Sequence, residues 1–147
     1  MSRPLWDEYF LDMCDFVAKR GTCPRKQVGA VVAKNNEMVS TGYNGSLTGL
    51  PHCEDVGCDM EDSHCVQTVH AETNSIAQII NDKARGKEFT KGCVLYCNTR
   101  PCWKCFQTIF MFSHIKEIVY KGDYRSDDRI ERAIKLIPDF IFRKVDT

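Results

Sequence analysis

His70-Ala71-Glu72 and, further along, Pro101-Cys102-Trp103-Lys104-Cys105 are the stretches from which the rest of the chain is best read. One histidine and two cysteines two residues apart form a three-ligand set for zinc. Structural zinc sites fill all four corners of the tetrahedron, whereas catalytic ones leave the fourth to water or substrate. Zinc held this way lowers the pKa of its water from about 15.7 to roughly 7, so hydroxide is available at neutral pH. Attack by hydroxide also requires protons to be moved. Glu72, two residues from His70 and not needed as a ligand, is placed to move them as general acid and base. A C-x-x-C pair alone is weak, since redox and structural metal motifs share it. Joined to H-x-E it is strong, and a buried histidine beside an unrelated cysteine pair is the lesser reading.

Working outward, Pro101 suits the first position of a helix. Cys102 and Cys105 then share one helical face, at the positive end that favours thiolates. A short strand, Cys93 to Cys97, precedes them. His70 to Ala84 carries a helical pattern, with Thr73, Ile76, Ala77 and Ile80 on one side. Ile115 to Tyr120 reads as a strand, Asp127 to Leu136 as a helix, and Phe140 to Phe142 as a last strand or tail. Toward the N-terminus, Leu5, Trp6, Tyr9, Phe10, Met13, Phe16 and Val17 recur at helical spacing up to Arg20-Gly21, a stripe expected to be core. Val28 to Ala33 is a buried strand, Asn35-Asn36 a hairpin turn, and Met38 to Tyr43 the return strand closed by Gly42-Tyr43-Asn44-Gly45. Ser46 to Thr68 has no period, and so long a loop is unusual unless functional or pinned. Two strands followed by alternating helices and strands predict an α/β fold: a three-layer α/β/α sandwich around a mixed, mostly five-stranded sheet. In such sheets ligands collect at the carboxyl ends of strands.

The 147 residues suit a single domain, 1–147, that buries roughly two thirds of its unfolded surface. Twenty basic and twenty acidic residues balance to zero without long blocks of either sign. That argues against bulk nucleic-acid binding, which calls for a basic stripe. The opening Met-Ser-Arg-Pro-Leu-Trp-Asp-Glu has no apolar core of a signal peptide, and no apolar run reaches membrane-span length. A cytoplasmic location follows as the expectation, bacterial or within a viral host. Nine cysteines in a reducing compartment read as metal ligands more readily than as disulfides.

The H-x-E…P-C-x-x-C spacing is the signature of zinc nucleobase deaminases. The chain resembles the deoxycytidylate (dCMP) deaminases of the zinc cytidine-deaminase superfamily, in a bacterial or phage-like form. The resemblance rests on Gln27-Val28-Gly29-Ala30, Ser40-Thr41-Gly42-Tyr43-Asn44-Gly45-Ser46, Val69 to Asn74 and Arg100 to Cys105. It implies a cytidine-deaminase-like fold and hydrolysis of dCMP to dUMP and ammonia, which would supply dUMP for dTTP synthesis. His70, Cys102 and Cys105 would hold zinc, and Glu72 would protonate N3 and then the leaving amine. Asn44, Arg25, Ala71, Thr99 and Tyr124 would contact substrate. Gly42, Tyr43, Asn44 and Gly45 would serve an effector site where dCTP activates and dTTP inhibits, in a homohexamer, with Mg2+ accompanying the triphosphate. Arg100 departs from the family's usual apolar or aromatic residue; it would either touch a phosphate or face water, which leaves a dCMP/dCTP bifunctional enzyme open. Arg25, Lys26 and Arg100 are the candidates for the phosphate.

A second cluster lies outside this set. Relatives with an additional structural zinc imply that Cys23, Cys53, Cys58 and His64 would close a Cys3His site, with Cys65 competing for one place. A long loop with few apolar residues needs such a pin. Cys14, Cys93 and Cys97 read as packing residues. A tRNA or single-stranded-DNA deaminase lacks support from the neutral charge. A catalytically dead nucleotide sensor would have no physical reason to keep Glu72.

Overall fold

The computed structural model describes residues 2–61, 64–122 and 127–146, the side chain of His64 excepted. Asn35 and Asn36 have positive φ, 51° and 62°, the left-handed pair that a two-residue type I′ turn demands and that asparagine tolerates. The turn joins β1 (Gly29–Lys34) to β2 (Glu37–Tyr43), antiparallel, with Lys34 opposite Glu37 and a register shift at Val32/Ala33. On its other edge β1 pairs antiparallel with β3 (Cys93–Cys97). Then β4 (Glu117–Tyr120) and β5 (Ile141–Lys144) add in parallel. The order β2-β1-β3-β4-β5 is the mixed five-stranded sheet expected; of the two readings of Phe140–Phe142, last strand or tail, the strand holds, running Ile141–Lys144.

Strand alternation sorts the core into two layers. Val31, Ala33, Tyr96 and Val119 pack with Phe10, Leu11 and Cys14 of α1 (Trp6–Ala18) on one face. Ala30, Val32, Leu95, Cys97 and Ile118 pack on the other. They meet Ile76 and Ile79 of α2 (Ala71–Ile80), Phe106 and Ile109 of α3 (Trp103–Phe112) and Ile130 of α4 (Arg129–Ile134). The result is the three-layer α/β/α sandwich. Each fully buried Ile or Leu here contributes about 1.5–3 kcal/mol relative to exposure.

Two helices differ from expectation in which face they bury. On α1 the buried residues are Phe10, Leu11, Cys14 and Ala18, while Leu5, Trp6, Tyr9 and Phe16 of the expected core stripe are exposed. The cause is a close approach: a Cβ on Gly29 would run into the Cys14 carbonyl oxygen, so the helix lies almost on the strand. Small residues must then line the contact, and the bulky flank turns outward. On α2 the buried face is Ala71, Glu72, Ser75, Ile76 and Ile79, rotated from the expected one, and the helix stops at Ile80 rather than Ala84. Here Gly42 of β2 sits against the Ala71 carbonyl and the Ser75 amide.

The loop before His70 is not structureless. Gly45–Ser46 pairs with Thr68–Val69, Met60–Glu61 pairs with His64–Cys65, and Cys53–Val56 forms one helical turn. Among the described residues no helix is long and apolar enough to cross a membrane.

Candidate active site

Both ligand-bearing segments enter helices at the same end of the sheet. His70 is the N-cap of α2 and Cys102 the N-cap of α3, each with extended backbone, so their side chains leave at the helix mouths. Cys105 lies one turn into α3 and is buried. His70 Nδ1 is 3.1 Å from Cys105 Sγ and 3.7 Å from Cys102 Sγ, and the three ligand atoms all lie within 4.8 Å of one another. A tetrahedral zinc with ordinary Zn–N and Zn–S bonds would set N···S edges of about 3.6 Å. The donors present fit that ion.

The thiols carry the electrostatic mark of a shared cation. A hydrogen bond from Cys105, and another from His70, drive the Cys102 thiol far below its ordinary value, while the same pairing and burial push Cys105 up. Beside them Glu72 is 3% exposed. Burial raises its carboxyl above the usual range, partly opposed by His70. A carboxyl poised this way can both accept and return a proton.

These groups floor an open cavity of about 260 Å³ whose wall includes Arg25, Lys26, Asn44, Ala71, Thr99 and Arg100. Of the residues expected to contact substrate, Arg25, Asn44, Ala71 and Thr99 line this cavity. Asn44 is buried and already engaged at both ends: its Oδ1 accepts from the Val28 amide at 2.8 Å and its Nδ2 donates to the Lys26 carbonyl at 2.7 Å. It shapes the pocket wall by holding the Lys26–Val28 strand entry. Gly42 and Gly45 are buried as well, and Tyr43 is half-buried. Tyr124 lies outside the described residues. Thr68 also lines the cavity; in an aperiodic loop nothing in the sequence marked it.

Arg100 neither faces water nor presents a free fork to the cavity. It is 6% exposed, its Nη2 donates to the Asp127 carbonyl at 2.7 Å, and it forms an ion pair with Glu131. The first-named phosphate candidates that remain, Arg25 and Lys26, follow Cys23 on the same wall.

The second cluster brings together Cys23, Cys53, Cys58 and Cys65, again with all sulfurs within 4.8 Å. Cys23 and Cys58 are 3.7 Å apart and Cys53 and Cys65 3.5 Å apart. Those spacings are far from a disulfide's roughly 2.05 Å and close to the S···S edge of about 3.8 Å of a zinc tetrathiolate; no cysteine pair is bridged. Cys65, the expected competitor, stands with Cys23, Cys53 and Cys58; the side chain of His64 lies outside the described set. Cys14, Cys93 and Cys97 are buried packing residues, as expected.

Residues 4–121 match the family model for the cytidine and deoxycytidylate deaminase zinc-binding region. The chain is 39% identical over 126 residues to ComE operon protein 2 of Bacillus subtilis, covering 86% of this chain and 64% of that protein. It is 33% identical over 141 residues to the deoxycytidylate deaminase of Saccharomyces cerevisiae, covering 92% and 43%. Against the deoxycytidylate deaminase of Mycobacterium phage D29 it is 34% identical over 132 residues, covering 82% and 97%. The chain thus spans less than two thirds of the Bacillus and yeast proteins and nearly all of the phage one. Among solved structures, the dCMP deaminase of cyanophage S-TIM5, in complex with dCMP and dUMP, superposes with a TM-score of 0.78. That match has 25% identity and covers 99% of this chain and 100% of the other.

Proposed function

Because this chain belongs to the cytidine and deoxycytidylate deaminase family, we propose that it hydrolyses dCMP to dUMP and ammonia. The observation that carries the reading is the convergence of His70, Cys102 and Cys105 within 4.8 Å beside a buried Glu72, on the floor of an open pocket. Zinc, when bound there, supplies an activated water at neutral pH. Glu72 would take one proton from the attacking water and pass it to ring N3 as the C4–O bond forms, then take the second from the new C4 hydroxyl and pass it to the amine, which leaves as ammonia. Arg25 and Lys26 in the cavity wall offer positive charge for a 5′-phosphate. The neutral whole-chain charge favours a small nucleotide over a polynucleotide.

The spacing of Cys23, Cys53, Cys58 and Cys65 supports a second, structural zinc that pins residues 46–69. Two of its ligands, Cys23 and Cys65, also line the pocket, so the pin would hold the wall as well as the loop. Regulation by dCTP and dTTP in a homohexamer, with Mg2+ on the triphosphate, rests on the Gly42–Gly45 resemblance. With Gly42, Asn44 and Gly45 buried, an effector would reach that element through Tyr43.

The test is incubation of the purified protein with dCMP, dCTP, deoxycytidine and cytidine, each with and without added dCTP or dTTP, following loss of cytosine absorbance. Turnover of dCMP well above that of the nucleosides is expected. A protein that binds zinc but turns over none of the four would overturn the reading.

A further inference from the structure

Arg100 lies in the loop between β3 and α3, two residues ahead of Cys102. An arginine buried in the wall of a nucleotide pocket invites assignment to the phosphate, yet its Nη2 is bonded to two residues that do not line the cavity. The Asp127 carbonyl accepts from it at 2.7 Å, the Glu131 carboxylate pairs with it, and its guanidinium carbon lies 5.2 Å over the Phe142 ring. These partners belong to the entry of α4, to α4 itself and to β5. The other carboxylate oxygen of Glu131 is buried and makes no hydrogen bond among the described residues, so Arg100 is that carboxylate's principal support. Within α3 Cys102 is held by its backbone, the Phe106 amide donating to its carbonyl at 3.0 Å, while its side chain makes no cap bond. The front of the loop is anchored at Asn98, which accepts from the Gly29 amide at 3.0 Å and donates to Asp15 at 3.2 Å.

We propose that Arg100 is a positioning residue: its pairing with Glu131 fixes from behind the loop that carries Cys102, and so sets how firmly the His70–Cys102–Cys105 site retains its metal. The inference rests on the metal reading of that site and not on the identity of the substrate. Loss of a partner that orients a metal ligand typically lowers metal affinity 10–100-fold. A planar fork that serves a carbonyl and a carboxylate together is not reproduced by a lysine's point charge.

The experiment uses the full zinc-loaded chain and the variants Arg100→Ala, Arg100→Lys, Glu131→Gln and the Arg100→Ala/Glu131→Gln pair. Zinc transfer to a chromophoric chelator is timed, and the cobalt-substituted spectrum reports the Cys2His site. Arg100→Ala and Glu131→Gln are expected to release metal from that site about 10–100-fold faster, with the double variant no worse than Arg100→Ala. Release from the tetracysteine site stays at the wild-type rate and serves as internal control. Arg100→Lys, which keeps the charge and the fold, gives an intermediate rate and an altered cobalt spectrum. In turnover, kcat/KM falls by the same factor for dCMP and deoxycytidine. A fall confined to dCMP would instead make Arg100 a phosphate ligand. Wild-type release and spectrum in both Arg100→Lys and Glu131→Gln would equally overturn the proposal. An inactive wild type defeats the deaminase reading and leaves the metal-release measurement standing.

Discussion

Gly42→Ala asks whether the Gly-Tyr-Asn-Gly element serves the site by packing or only by touching an effector. A Cβ at this position would stand 2.5 Å from the Ser75 amide nitrogen and 3.0 Å from its Cα, and would overlap the Ala71 carbonyl. All three are backbone atoms of α2, so no side chain can swing aside. Restoring an ordinary 3.4 Å contact from 2.5 Å opens β2 from α2 by about 0.9 Å. Overpacking of this kind costs about 1–3 kcal/mol. For a domain of this size that is roughly 2–12 °C in Tm. The displaced helix is the one that carries Glu72 and begins at His70. A misplacement near 1 Å of a catalytic group lowers the rate on the order of 10²-fold. The assay is a thermal melt, a zinc count, and kcat on saturating dCMP with and without dCTP. A variant with wild-type Tm and wild-type basal kcat refutes the packing argument. If such a variant lost only its response to dCTP, Gly42 would be an effector residue instead.

Three further outcomes are expected. Glu72→Gln keeps the fold and both metals but lowers kcat about 10²–10⁴-fold; undiminished turnover with zinc retained would remove the carboxyl from the mechanism. Cys58→Ser, purified without added zinc, should carry one zinc per chain against two in the wild type, and should be cut by protease within residues 46–69; equal metal content in the two proteins argues against the tetracysteine pin. Tyr96, which donates to Asp7 at 3.4 Å, is pushed up to about 12 by burial and then by the Asp7 charge. Its folded pKa lies above the unfolded value near 10, so the folded state binds the extra proton and stability declines as pH rises from about 10 through 12. An absorbance titration at 295 nm should show a step near 12 that Tyr96→Phe removes, and the same variant should flatten the alkaline loss of stability. An unchanged slope would place the alkaline sensitivity elsewhere.

The sheet was legible because its signals are local. Asn35-Asn36 can satisfy two positive φ values in succession, and the apolar runs on either side of it and at Cys93–Cys97 have strand length. The candidate metal-ligand set His70, Cys102 and Cys105 was legible because chemistry fixes the residue types and helix geometry fixes their spacing. What escaped was side-chain direction at close contacts. The aromatic residues of α1 have helical period, but period alone does not say which flank faces the sheet. Gly29 decides that, by letting the Cys14 carbonyl and the Ala18 amide approach the strand, which sets Phe10, Leu11, Cys14 and Ala18 inward. Gly42 makes the same decision for α2, turning Glu72 and Ser75 inward in place of Thr73 and Ala77. In both cases a glycine distant in sequence overrides the helix's own pattern.

The same limit explains the charged and thiol residues. A cation before Pro101 looks free in sequence because its neutralising partner, Glu131, lies thirty-one positions away in a helix whose placement only the sheet order reveals. Cys65 stood in the sequence as a competitor for one of four places, because nothing local ranks five candidate ligands. The fold ranks them by distance: the sulfurs of Cys23, Cys53, Cys58 and Cys65 lie within 4.8 Å of one another, with Cys65 3.5 Å from Cys53. That spacing gives a stringent check: Cys65→Ser should cost the second metal while His64→Ala leaves it bound, and the reverse result would refute the tetracysteine set.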